Sequence, residues 1–106
     1  MNIILGKENA TILRDRHVVL ELETFQLPEK DPITAFCVVP AEAIFADMPD
    51  MVRLQGLHQA VVDAWNRKDY STVEYGIEHL HGKFSGELDS FYDILLQAIK
   101  EKQQVE

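Results

Sequence analysis

The sequence predicts an α+β fold in one domain spanning residues 1–106. An N-terminal antiparallel β-meander of three to four strands, over residues 2–40, packs on a C-terminal three-helix unit over residues 47–103. Three observations predict it. Hydrophobicity alternates in HVVLELETFQL and runs β-branched and aromatic in ITAFCVVP. From Asp47 onward the apolar period becomes that of a helix. A chain of 106 residues with 46% apolar and 26% charged residues suits one core and is far from the composition of disordered chains.

The strands come first. NIIL and ATIL are short apolar runs separated by GKEN, which supplies Gly and Asn where a hairpin turn needs them. In HVVLELETFQL, Val18, Leu20 and Leu22 fall on one face and Glu21 and Glu23 on the other, as in a strand with one buried face. Phe25 continues the glutamate side. PEKDP is short enough to join this strand to ITAFCVVP as an antiparallel hairpin, and Pro40 ends the second strand.

The helices come after them. Asp47 can cap the first and Pro49 suits its first turn, after which Met51, Leu54, Leu57, Val61 and Trp65 recur on one face, with His58 near the edge. Ser71 and Glu74 have the spacing of a capping box for the second, flanked by Tyr70 and Tyr75 in the staple positions. Val73, Ile77 and Leu80 form its buried stripe, and Gly82 suits a left-handed end. Leu88, Phe91, Leu95, Ala98 and Ile99 form the stripe of the third, with Lys100 and Lys102 favourably near its C-terminus.

The run AVVDAWNRKDYSTV, residues 60–73, resembles the helix-turn-helix at the start of NTF2-like domains. That family places its helices before a long curved sheet. Here the order is reversed, so the likeness stays local and the capping pattern accounts for it.

Composition restricts function. The net charge is −8, from 10 Lys plus Arg against 18 Asp plus Glu, with no basic cluster to displace counterions from a phosphate backbone. Direct binding to nucleic acid or to a membrane is therefore not expected. One cysteine, Cys37, allows neither an internal disulfide nor a zinc site of paired cysteines, and an apolar run of three residues in MNIILGKEN is short for a signal peptide. A cytoplasmic protein is the expectation, with no cofactor.

Three functional readings fit, the first preferred. A non-catalytic binding or accessory module would use the acidic residues Glu87, Asp89 and Asp93 at the start of the third helix toward a basic protein partner. Asp89 and Asp93, one turn apart, repel each other, which a basic partner would relieve. Phe25 and Leu96 stand off the predicted buried faces, as do Phe45 and Met48, and would serve as apolar anchors; a homodimer is the cheapest assembly that covers them.

The second reading is a small metal-dependent or acid–base enzyme. Glu78 and His81 converge on one helix flank at Glu-x-x-His spacing, with His58 as the third ligand by direction, while His79 points away. A structural role for each of these residues accounts for the same pattern: Glu78 solvated, His81 in the last turn, His58 hydrogen-bonded at the core boundary. Cys37 lies within an apolar strand, where burial suppresses reactivity, so no catalytic residue is assigned and enzymatic activity is not expected. The third reading, an acidic inhibitor that mimics nucleic-acid charge, fits less well because lysines and arginines interrupt the acidic residues.

Overall fold

The structure is a computed structural model that describes residues 2–26, 28–40 and 49–105. Its elements are strand β1 (Asn2–Leu5), helix α1 (Lys7–Leu13), strands β2 (His17–Phe25) and β3 (Ile33–Pro40), and helices α2 (Met51–Arg67), α3 (Tyr70–Leu80) and α4 (Asp89–Val105), with a 3₁₀ turn at Phe84–Gly86. The α+β class, the three-stranded antiparallel sheet and the three C-terminal helices agree with the sequence reading. Asp47, Phe45 and Met48 lie outside the described residues.

ATIL is not a strand. It is the end of α1, whose first turns are tied by Asn9 Nδ2 donating to the Leu5 carbonyl at 2.9 Å and Thr11 Oγ1 donating to the Lys7 carbonyl at 2.9 Å. Gly6 makes the turn into the helix at φ +92°, a conformation that L side chains rarely adopt. The strand order is β1-β3-β2, and both outer strands run antiparallel to β3. β1 and β2 are thus parallel, and α1 is the crossover between them rather than one arm of a hairpin.

β3 is central and buried on both faces, which explains its unbroken apolar text. Ala35, Cys37 and Val39 point to the helical side with Leu20 and Leu22, and pack against Leu54, Val61, Val73, Ile77, Leu80, Phe84, Leu88, Tyr92 and Ile99. Phe36 and Val38 point to the other side, where Val19, Ala10 and the partly buried Leu13 cover them.

A bulge in β2 alters the predicted alternation. Glu21 pairs with Phe36 and Thr24 with Thr34, so β2 carries one residue more than β3 between these pairs. The extra residue reverses the facing of the strand's last residues. Phe25 therefore stands opposite Ile33, on the helical side and not on the glutamate side.

The joint between α2 and α3 also differs from the sequence reading. α2 ends with Lys68 left-handed at φ 64°, and the Asp69 N–H donates to the Ala64 carbonyl at 2.9 Å. Asp69, not Ser71, then caps α3: its carboxylate accepts from the Thr72 hydroxyl at 2.7 Å and, at a longer 3.4 Å, from the Thr72 N–H. The Thr72 side chain, then its backbone, holds the Asp69 carboxyl below the usual carboxylate range. Tyr70 packs on Trp65 instead of pairing with Tyr75 across the cap. Gly76 lets the two helices close up, since a β-carbon there would overlap the Val61 side chain. Gly82 ends the segment at φ +85°, as expected.

Candidate functional site

The predicted site residues fall into two separate places. His58 is in the core, 1% exposed, among the rings of Phe84, Phe91 and Tyr92. Its Nε2 lies 2.6 Å from the Glu21 carbonyl and its Nδ1 2.8 Å from the Tyr92 hydroxyl. A carbonyl only accepts, so Nε2 carries the proton; with the ring neutral, Nδ1 accepts from Tyr92. Burial holds the imidazole below its ordinary pKa and pushes the Tyr92 phenol above its own, so both stay neutral. Both ring nitrogens are thereby occupied, and His58 has no lone pair to offer a metal.

Glu78 and His81 are instead on the surface, beside a groove between α3 and α4 lined by Ser71, Glu74, Tyr75, Ile77, Glu78, His81 and Leu96. The helical period explains the grouping. Ser71, Glu74, Glu78 and His81 recur at three- and four-residue steps on one flank of α3, and Ile77 beside them is buried as the floor. Leu96 completes the floor from α4, partly buried against the main core. It is therefore not a free anchor on an outer face. Among the described residues, no group of three or more His, Cys, Asp or Glu is arranged to hold a metal ion.

His81 connects this groove to the acidic residues of α4. Its Nε2 lies 3.3 Å from Asp93 Oδ1 and its Nδ1 3.8 Å from Asp89 Oδ2. Asp89 also accepts from the Gly82 N–H at 2.8 Å, which ties the end of α3 to the start of α4. His81 thus lies beside both carboxylates, and the Gly82 N–H gives Asp89 a partner within the chain. Glu87 is near enough to Cys37 for its charge to act on the thiol. Of the three acids, Asp93 is exposed while Glu87 and Asp89 are half-buried. Phe25 is 47% exposed at the far edge strand and is not part of the groove.

Cys37 itself has no exposed surface, and burial first, with Glu87 second, pushes its thiol up to about 11. The same burial that places it in the core keeps it inert.

Two residues on the groove rim have other roles in the sequence reading. Glu74 has the spacing of half a capping box and Tyr75 that of a staple, yet Tyr75 is 63% exposed and rests edge-on against His79. The signal for the rim is present in the period: Glu74 and Glu78 stand one turn apart on the same flank. Compared with protein-family models, with curated proteins and with solved structures, the chain gives no match.

Proposed function

We propose that the protein is a small binding module whose α3–α4 groove holds a basic segment of a protein partner. The observation that carries this reading is the state of Glu74 and Glu78. They are like charges one turn apart on the rim of an apolar-floored groove, and neither has a cation within ion-pair reach among the described residues. A lysine or arginine laid along the groove would relieve their repulsion, while Tyr75 and Leu96 offer apolar surface to a neighbouring side chain. Asp93, 65% exposed, extends the same negative field at the His81 end. The chemistry of the partner is thus cationic and amphipathic.

The test uses an amphipathic Lys/Leu helical peptide as the probe, titrated into isotopically labelled protein and followed by amide chemical shifts. Shifts should concentrate at Glu74, Tyr75, Glu78 and Leu96 and weaken with added salt. Glu74→Lys with Glu78→Lys should abolish them. Asp15→Lys with Glu23→Lys, the same change in net charge elsewhere on the chain, should leave them in place. Equal loss in both double variants would reduce the effect to net charge and end the proposal.

A further inference from the structure

β1 lies at one edge of the sheet, and nothing in its sequence protects that edge. Sheet edges in monomers are commonly blunted by charge, proline or bulges; NIIL has neither charge nor proline, and its register with β3 is regular. Ile3 and Leu5 are 56% and 54% exposed.

The hydrogen-bond phase shows which groups face outward. The Gly6 N–H donates to the Thr34 carbonyl at 2.9 Å, in the same register that pairs Ile4 with Phe36 and Asn2 with Val38. Bonded and non-bonded pairs alternate along an antiparallel ladder, so Asn2, Ile4 and Gly6 bond to β3. Ile3 and Leu5 then turn their N–H and C=O groups to the open edge. The carbonyl of Leu5 accepts from Asn9 Nδ2, consistent with this direction, and retains its second lone pair.

We propose that this edge pairs with β1 of a second copy of the chain, antiparallel about a two-fold axis through Ile4. Facing pairs must share a sheet face, and the register that places Ile4 opposite Ile4 of the other copy does so while placing Ile3 opposite Leu5 in both directions. The outward groups of Ile3 and Leu5 then bond reciprocally. Their side chains join into one apolar strip on the helical side of a six-stranded sheet. Charge favours the same surface. Each copy carries −8, so two copies repel across most approaches, but β1 has no ionisable side chain to set against its like. This inference is independent of the α3–α4 groove, which lies on other elements.

The test is light scattering of the full chain from micromolar to millimolar concentration, beside two variants checked for folding by circular dichroism. A concentration-dependent dimer is expected. Ile3→Lys should raise its dissociation constant at least ten-fold by placing a charge in the strip. Non-bonded antiparallel pairs hold Cα atoms about 4.5 Å apart, within disulfide reach, so Ile4→Cys should form a symmetric cross-linked dimer under oxidation while buried Cys37 takes no part. A chain that stays monomeric throughout overturns the proposal. So does a dimer that Ile3→Lys leaves unchanged. If Ile3→Lys does not fold, the cross-link decides: its absence in folded Ile4→Cys also overturns the proposal.

Discussion

The two faces of the sheet are covered by very different lengths of chain. On the helical side, Leu20, Leu22, Ala35, Cys37 and Val39 meet a core drawn from α2, α3, α4 and the Phe84 turn. On the other side, seven residues of α1 cover Val19, Phe36 and Val38, with Ala10 as their fully buried member. Both faces are apolar, and both are buried in β3. The difference is in depth: the helical side has a second layer of packed side chains, including a hydrogen-bonded histidine, whereas among the described residues the α1 side has one layer, α1, most of which is exposed. Thickness of cover, more than the apolarity of the strand, sets what a substitution there should cost.

The largest effect should come from His58→Ala. It opens a cavity in the thick layer and strips partners from the buried Tyr92 hydroxyl and the Glu21 carbonyl, for an expected loss of about 4 kcal/mol in urea unfolding. A loss below about 1 kcal/mol would mean that the histidine is not an organising part of that layer.

Neighbours on β3 make a more direct comparison. Val39 is 0% and Val38 8% exposed, and they face opposite sides. Val39→Ala should cost about 2.5 kcal/mol and Val38→Ala about 1 kcal/mol, because the thin cover can settle into the space left behind. Equal costs would break the distinction between the two faces.

A graded effect is expected in acid. Folding holds His58 neutral with its pKa below the ordinary 6.5, so the unfolded chain takes up a proton that the folded chain refuses. The contribution to stability is complete above about pH 6.5 and falls as the pH drops below it, by at most about 1.4 kcal/mol per pH unit. Unfolding midpoints between pH 7 and 5.5 should show this component, and His58→Gln should lack it.

The fold is legible in the sequence wherever a pattern repeats often enough to outweigh coincidence. The stripes of α2, α3 and α4, and the alternation of β2 up to Leu22, each rest on several apolar residues in phase. α1 offers only Ala10 and Leu13 in helical phase, and ATIL has the same text as a short strand. The bulge after Glu21 carries no glycine to announce it, so simple alternation puts Phe25 on the wrong face. Asp69 and Ser71 both begin frames with the spacing of a cap, and the left-handed turn at Lys68 decides between them. The site divides on the same principle. The grouping of Glu74, Glu78 and His81 on one flank follows from spacing along a single helix. Contacts across the fold do not: His58 finds Tyr92 34 residues away, and His81 reaches α4 only because Gly82 turns the chain back.

The interior position of Cys37 gives the molecule a built-in reporter. A thiol with no outward surface and its ionisation suppressed cannot meet an alkylating reagent until the middle of the sheet parts. Because the sequence contains one sulfhydryl, every labelling event arises from that same location. The speed of modification in native buffer therefore counts how often the deepest strand is laid bare.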